Sequence, residues 1–175
     1  MSRRAWQLIG SVLVIYLVLF VQLWLMDIHL NTTPSIPLGL YRVTHEPITR
    51  GMLVVFCLPA QVAKFGRERG YVEAGTCPDG SKPAVKEVVA VAGDRIDIGQ
   101  EGLVVNGEVA QSSVNVSQDS RGRPLPSMPF GRYFVSRGEV WVLGRHDVRS
   151  WDSRYYGGIP TDSIQSTARK VWTYE

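Results

Sequence analysis

The stretch AVKEVVAVAGD, residues 84–94, combines a run of β-branched and small apolar residues with one lysine and a closing Gly-Asp pair. An apolar run bounded by such a turn signal predicts a β-strand. Successive side chains of a strand point to opposite faces, so Lys86 shares a face with Val88 and lies opposite Glu87. If the Glu87 face is the hydrated one, Lys86 points into apolar surroundings. The structural alternative is an edge-strand lysine that protects against aggregation.

Further short segments of this kind predict a mostly β domain with one short helix. Asn106-Gly107 lies between two apolar runs, which is the strongest short-range signal for a hairpin. Residues 111–130 are rich in Ser, Pro, Arg and Gly and predict a long loop. We expect strands at residues 52–58, 84–91, 133–135, 139–143 and 170–174, and two more within 103–109, one on each side of Asn106-Gly107. We also expect a helix at residues 61–69.

An uncharged segment runs from Leu8 to Met26, which is 19 residues. As a helix it would be about 28 Å long, close to the thickness of the hydrocarbon core of a bilayer. Arg3 and Arg4 precede it, so the positive-inside rule predicts a cytoplasmic N-terminus. A cleaved signal peptide is the alternative, but no small-x-small cleavage site follows the apolar run. We therefore expect residues 1–27 to form a cytoplasmic N-terminus and transmembrane anchor, and residues 28–175 an exported domain.

Composition restricts the classes of function. Hydrophobic residues make up 45% of the chain, which excludes a disordered polymer, and the net charge of +3 comes from scattered basic residues that do not indicate nucleic-acid binding. The two cysteines, Cys57 and Cys77, are candidates for a disulfide in an oxidising compartment. The chain has three histidines: His29, His45 and His146. The cysteines and histidines show no spacing typical of a metal site, so we expect neither a metal nor another cofactor.

The segment TTPSIPLGLYR, residues 32–42, follows the apolar segment closely and places a serine between two prolines. Pro34 and Pro37 fix their own φ angles and push the preceding residues towards extended geometry. Ser35 is therefore held in a rigid frame. An ordinary turn explains the same residues, since turns often contain Pro and Ser.

A serine hydroxyl is a poor nucleophile unless a base takes its proton. His146 and Asp147 suggest a Ser-His-Asp arrangement, but adjacent side chains rarely point at each other. The other candidate is Lys86, whose pKa would have to fall from about 10.4 to about 7 or 8, a shift worth about 4 kcal/mol. A dry pocket supplies a shift of that size.

Three segments together resemble, in order and spacing, the nucleophile, lysine and carboxyl-terminal motifs of the signal peptidase I superfamily, whose members are membrane-anchored serine peptidases with a Ser-Lys dyad. These segments are TTPSIPLG, AVKEVVAVAGD and GRHDVRSWDSRYYGGIP, and they extend from Thr32 to Pro160. The S-I-P-x-G-L-Y-R form and the two cysteine positions are similar to the TraF-type conjugative-transfer peptidases. The resemblance implies a signal peptidase I-like, β-rich catalytic domain.

The same resemblance implies roles for individual residues. Ser35 would be the nucleophile and Lys86 the general base, and the Thr33 hydroxyl would help the N–H of Ser35 to bind the oxyanion. The SWDSR segment would supply residues that brace the lysine and the fold: Ser150, Asp152 and Arg154.

Several positions depart from the general signal peptidase pattern. Ile36 stands where methionine is usual, and Gly144-Arg145-His146 replaces a G-D-N sequence. The large extra domain of some relatives is also missing. These departures favour a dedicated substrate over general secretory precursors.

The resulting expectation is a single-pass serine endopeptidase of the bacterial inner membrane with a periplasmic catalytic domain. It would mature a membrane-inserted conjugative pilin precursor or another exported protein, by hydrolysis or by head-to-tail cyclisation. Ser35 is only nine residues from Met26 and so within about 30 Å of it, which keeps the nucleophile near the lipid bilayer. The alternatives are a general signal peptidase I and a non-catalytic anchored assembly protein of a secretion or pilus apparatus, with the β domain as a docking module.

Overall fold

The computed structural model describes residues 2–174, apart from the side chains of residues 23–25. Its helices are α1 (Arg3–Leu25), α2 (Ala60–Arg69) and α3 (Ser153–Tyr156), with one 3-10 turn at Thr161–Ser163. The strands are β1 (Ile28–Asn31), β2 (Leu38–Thr44), β3 (Leu53–Phe56), β4 (Ala84–Val91), β5 (Arg95–Gly99), β6 (Gly102–Val105), β7 (Glu108–Val109), β8 (Gly131–Phe134), β9 (Glu139–Leu143), β10 (Ile159–Pro160) and β11 (Ile164–Tyr174). The expected mostly β domain with one N-terminal apolar helix is confirmed.

Helix α1 is long and apolar enough to cross a membrane, and none of its candidate span, Arg3–Gln22, is buried inside the protein. A helix that exposes this many large apolar side chains has no partner within the described chain. The helix begins at Arg3 rather than at the first residue of the uncharged segment, because arginine is a good helix former and hydrogen bonding continues beyond the apolar run.

The strands form two antiparallel sheets. A seven-stranded sheet has the order β1-β2-β11-β3-β4-β9-β10, and a four-stranded sheet has the order β7-β6-β5-β8. Strand β4 occupies residues 84–91, as predicted, and pairs with β3 on one side and with β9 on the other. An interior position between two strands explains the nearly continuous apolar run of β4.

Strands β4 and β9 contribute to two hydrophobic clusters, one on each of their faces. Val89 and Leu143 belong to the cluster shared with the four-stranded sheet. Val88 and Val142 belong to the cluster that also contains Phe56. Because both faces of these strands are covered, neither strand shows the apolar and polar alternation of a half-exposed sheet.

The hairpin prediction is confirmed, since Asn106 and Gly107 both have positive φ angles, 53° and 95°, between β6 and β7. The sequence prediction missed β1, β2, β5, β10 and α3, and of β11 it included only residues 170–174. Strand β2 overlaps the proline-containing segment 32–42, for which the sequence predicts a rigid frame or an ordinary turn but no strand. Strand β5 alternates buried Ile96 and Ile98 with charged neighbours over only five residues. Residues 111–130 contain no helix and no named strand, as expected for a long loop.

A disulfide joins Cys57, directly after β3, to Cys77 in the loop after α2. The loop of chain that the disulfide closes contains α2 and residues 70–73, and residues 70–73 line a cavity of about 600 Å³. The bond therefore fastens one wall of that cavity to the central sheet.

We predict that the Cys57→Ala/Cys77→Ala double variant is less stable by about 3 kcal/mol, because an uncrosslinked unfolded chain regains the entropy of a loop of about 20 residues. Its Tm in detergent should fall by roughly 6 to 12 °C. A thiol reductant should lower the Tm of the parent chain and leave the double variant unchanged. Equal Tm values for the two proteins under oxidising conditions would contradict the prediction.

Candidate active site

Ser35 lies in the six-residue loop between β1 and β2, which pair in an antiparallel hairpin with Asn31 opposite Gly39. The serine is half-buried, whereas the next residue, Ile36, is only 3% exposed and anchors the loop in the core. The hydroxyl of buried Tyr41 donates a 2.7 Å hydrogen bond to the carbonyl of Pro37. The two prolines, the apolar anchor and this bond fix the loop that carries the hydroxyl.

Lys86 is buried in the first half of β4, with 6% of its surface exposed. Its neighbour Glu87 is half-buried on the other face and pairs with Arg145. The expected alternation is therefore present at these two positions. Lys86 lies opposite Val54 of β3 in an interior strand pair, so it is not an edge-strand lysine.

Burial lowers the pKa of Lys86 from 10.5 to about 8, because removal of water disfavours the ammonium form. Negative charge on Asp152 raises this pKa, positive charge on Arg154 lowers it, and negative charge on Asp147 raises it, all by less than the effect of burial. A substantial fraction of the amine is therefore neutral slightly above neutral pH.

The Lys86 amine donates a 2.6 Å hydrogen bond to the Ser150 hydroxyl, which is itself buried. Gly144 makes this contact sterically feasible. A Cβ at Gly144 would fall on the Ser150 side chain and within 3.1 Å of Lys86 Nζ, so any larger residue would have to displace both groups. Gly144 is the one position of Gly144-Arg145-His146 that keeps the G-D-N pattern, and nothing in the sequence indicated this steric role.

Asp152 and Arg154 form an ion pair in which both side chains are almost fully buried, at 0% and 1% exposure. The contact is bidentate: Arg154 Nε and Nη2 each lie 2.8 Å from a different carboxylate oxygen. The carboxylate also accepts hydrogen bonds from the backbone N–H groups of Gly144 and Arg154. Removal of one partner from a buried pair leaves the other charge uncompensated, which typically costs about 3–5 kcal/mol.

The remaining donors of Arg154 bind backbone carbonyls from two loops. The guanidinium donates to the carbonyls of Ser112 and Val114 in the long loop and to those of Val148 and Ser150 in the segment after β9. This one side chain thereby fixes the backbone of Ser150, the partner of Lys86. These contacts lie in the segment for which the family resemblance implies a bracing role.

Ser35 and Lys86 line the same cavity, whose volume is about 600 Å³. Asp147, Arg149 and Trp151 line it from the segment after β9. This volume lies within the range of small-molecule and peptide-binding clefts. Among the described residues, the hydrogen-bond partner of Lys86 is Ser150, and no hydrogen bond joins Lys86 to Ser35. Catalytic hydrogen bonds are often long or absent without substrate, so the arrangement remains compatible with proton transfer between these groups.

Thr33 is exposed, and its hydroxyl donates a 2.7 Å hydrogen bond to Asn31 Oδ1. Asn31 was missed by the sequence analysis, although an Asn two residues before a Thr is the pattern of a side-chain turn in which Asn accepts from the backbone N–H at i+2. That N–H, from Thr33, does bind Asn31 Oδ1.

His146 is exposed, so the structure does not support a Ser-His-Asp arrangement built on it. Between residues 2 and 174 no group of three or more His, Cys, Asp or Glu side chains is arranged to hold a metal ion.

Comparisons with known proteins identify the family. A model of the family described as signal peptidase, peptidase S26, matches residues 3–173. The plasmid transfer protein TraF of Escherichia coli is 37% identical over 146 residues, which is 82% of each chain. The probable conjugal transfer protein TraF of Sinorhizobium fredii is 39% identical over 154 residues, 86% of this chain and 80% of that protein.

A solved signal peptidase I from Enterococcus faecalis has a TM-score of 0.40 and 18% identity to this chain, over 70% of this chain and 97% of that one. The family match and the two TraF proteins confirm the resemblance that the three sequence segments indicated. Since the family model covers nearly all of the described residues, the chain belongs to the signal peptidase family, peptidase S26.

Proposed function

We propose that this chain is a membrane-anchored serine endopeptidase in which Ser35 is the nucleophile and Lys86 the general base. Its membership of peptidase S26 supports a serine peptidase. The observation that carries the residue assignment is the buried Lys86 amine, with its pKa lowered to about 8, on the cavity that Ser35 also lines. A lysine that is neutral near physiological pH can accept a proton, which an exposed lysine cannot do efficiently.

In the proposed first step, neutral Lys86 takes the proton of Ser35 as Oγ attacks the scissile carbonyl carbon. The Ser35 N–H and the Thr33 hydroxyl donate to the resulting oxyanion. The ammonium of Lys86 then gives its proton to the leaving amine, the C–N bond breaks, and an ester links the substrate acyl group to Ser35. The hydrogen bond to Ser150 limits rotation of the lysine amine, and Asp152 and Arg154 hold Ser150 in place.

The second step transfers the acyl group from Ser35 to another nucleophile. Lys86 removes a proton from water or from an amine as it attacks the ester, and Ser35 Oγ leaves and regains a proton. Water gives a linear acid. The amino terminus of the substrate gives a cyclic peptide if it is held near the ester, because its effective molarity then exceeds that of competing solvent.

We place the substrate at the membrane surface. Helix α1 ends at Leu25 and β1 begins at Ile28, so only two residues separate the candidate anchor from the sheet that carries the nucleophile loop. With the N-terminus in the cytoplasm, residues 28–175 would face the periplasm. The named relatives are plasmid and conjugal transfer proteins, which supports a substrate of the conjugation apparatus, such as a pilin precursor.

We predict that Ser35→Ala and Lys86→Met each abolish processing of the substrate, while both proteins stay folded and membrane-bound. Lys86→Arg should also be inactive, because a guanidinium keeps its proton and cannot act as a base. Processing is measured on purified full-length chain in detergent with a precursor from the same transfer system. Full activity of either Ser35→Ala or Lys86→Met would contradict the catalytic assignment and favour a non-catalytic docking module.

The stability of Lys86→Met gives an internal control. The folded-state pKa of Lys86 lies below its unfolded value, so the favourable contribution of this residue is complete above about pH 10.5 and is lost as the pH falls through 8. At pH 7 the parent chain carries a cost of about 3 kcal/mol, and Lys86→Met should therefore have a higher Tm at pH 7 than the parent. Loss of activity with a gain in stability excludes unfolding as the cause.

We predict that kcat/KM rises with pH to a plateau, with a midpoint near 8, because the base must be neutral in the free enzyme. Below the midpoint the value should fall about tenfold for each pH unit. The measurement uses a substrate without ionisable side chains next to the scissile bond. A flat profile between pH 5 and 9 would contradict the assignment of Lys86 as the base.

We predict that mass spectrometry of the mature product finds a mass one water below that of the linear product, as ring closure requires. The proposed acyl-enzyme allows this outcome, because an amino terminus held near the ester competes effectively with water. Carboxypeptidase treatment is the control, since a closed ring has no free carboxyl terminus. A linear product from a conjugation substrate would restrict the enzyme to hydrolysis, and efficient cleavage of general secretory precursors would favour a general signal peptidase.

A further inference from the structure

Asn31 is the last residue of β1, and its side chain turns into the loop that carries Ser35. The amide nitrogen lies 2.9 Å from the carbonyl oxygen of Thr33, before the serine, and 3.2 and 3.1 Å from those of Ile36 and Pro37, after it. The amide oxygen accepts from the N–H and the hydroxyl of Thr33. One carboxamide therefore binds both arms of the nucleophile loop.

These contacts fix the orientation of the amide. Three carbonyl oxygens surround its nitrogen, and two donors face its oxygen, so an exchange of nitrogen and oxygen would place acceptors against acceptors. The NH2 group has two hydrogens for three carbonyls, so at least one hydrogen is shared. An aspartate at this position would keep the size and the acceptor but lose every donor to the loop.

Apart from the packing of Ile36 in the core, few other contacts hold this loop, and other hydrogen bonds to it are few. Its two prolines have no N–H to donate. In the described chain, no backbone hydrogen bond outside the strands falls within residues 32–37, and the one other side-chain hydrogen bond to the loop comes from Tyr41. Among residues 2–174, the Ser35 side chain takes part in no hydrogen bond. The position of Ser35 therefore depends on the loop backbone, which the Asn31 side chain holds by hydrogen bonds.

The same contacts constrain Thr33. A hydroxyl has one hydrogen, and a carboxamide oxygen only accepts, so the hydrogen of Thr33 Oγ1 points to Asn31. To donate to an oxyanion, the Thr33 hydroxyl must rotate away from Asn31. The backbone N–H of Thr33 can keep its hydrogen bond to Asn31 Oδ1 when this happens. The loop backbone then stays fixed when the hydroxyl changes partner.

We propose that Asn31 is a positioning residue for catalysis: its carboxamide clamps the loop on both sides of Ser35 and holds the Thr33 hydroxyl until an oxyanion forms. This inference rests on the proposed function. A displacement of about 1 Å at a reacting group costs on the order of 100-fold in rate, so loss of the clamp should act on kcat.

The test compares Asn31→Ala and Asn31→Asp with the parent chain, in the full-length protein in detergent. We expect kcat to fall on the order of 100-fold in both variants, with KM changed by less than about threefold. Asn31→Ala should keep the kcat/KM midpoint near pH 8, because the surroundings of Lys86 are intact. General loosening of the site would instead hydrate Lys86 and move that midpoint upward.

Asn106→Ala is the matched control. The carboxamide of Asn106 also makes hydrogen bonds through both of its polar atoms: its nitrogen donates to Asp94, and its oxygen accepts from the N–H of Arg95. It lies, however, in the β6–β7 hairpin of the four-stranded sheet. Its loss should lower Tm and leave kcat unchanged. Double-mutant cycles with Thr33→Val should be non-additive, since Thr33 and Asn31 share a contact.

The outcomes separate the two proposals. If Ser35→Ala is inactive but both Asn31 variants retain kcat within about threefold of the parent, the clamp is wrong and the proposed function stands. A midpoint that moves well above 8 in Asn31→Ala would also overturn the clamp. Activity in Ser35→Ala would overturn the proposed function itself.

Discussion

The buried ion pair between Asp152 and Arg154 is the interaction on which the rest of the site depends. It is bidentate and dry, and the donors left over on Arg154 bind four backbone carbonyls from two separate loops. A guanidinium has five N–H donors in a fixed plane, so these six contacts require one shared hydrogen at Nη1, whereas a lysine ammonium has only three donors. Because the pair fixes the segment after β9, Ser150 lies where the Lys86 amine can reach it, and the long loop is held to the same segment.

The site combines two requirements that oppose each other. Stability favours an apolar side chain at position 86, in the interior of the sheet, whereas a proton acceptor requires an amine there. Burial of that amine lowers its pKa, and the Ser150 hydroxyl gives it a hydrogen-bond partner in dry surroundings. The steric space comes from the absence of a side chain at Gly144. The burial of Lys86 destabilises the folded chain, and the same burial lowers the pKa of the amine, on which its proposed role as a base depends.

The cavity is assembled from parts with different supports. Strand β4 is held by two neighbouring strands and two hydrophobic clusters, so Lys86 lies on an interior strand that is packed on both faces. Ser35 lies in a hairpin loop on two outer strands, close to the helix that is long enough to span a membrane. The nucleophile loop therefore needs its own fixation, which prolines supply in part and the Asn31 carboxamide supplies across both arms.

The sequence by itself determined the apolar helix, strands β4 and β9, the Asn-Gly hairpin and the family, because each depends on local pattern or on motif order. It also brought Ser35 and Lys86 to attention, since a serine between prolines and a lysine within an apolar strand conflict with local expectation. The family resemblance implied that Ser150 braces the lysine, but only the tertiary structure decided that Lys86 is interior and not at an edge, that its amine donates directly to the Ser150 hydroxyl, and that Gly144 and Asn31 matter. Those facts depend on contacts between segments distant in sequence, or on the direction of a side chain within a loop. Neither periodicity nor composition encodes such contacts.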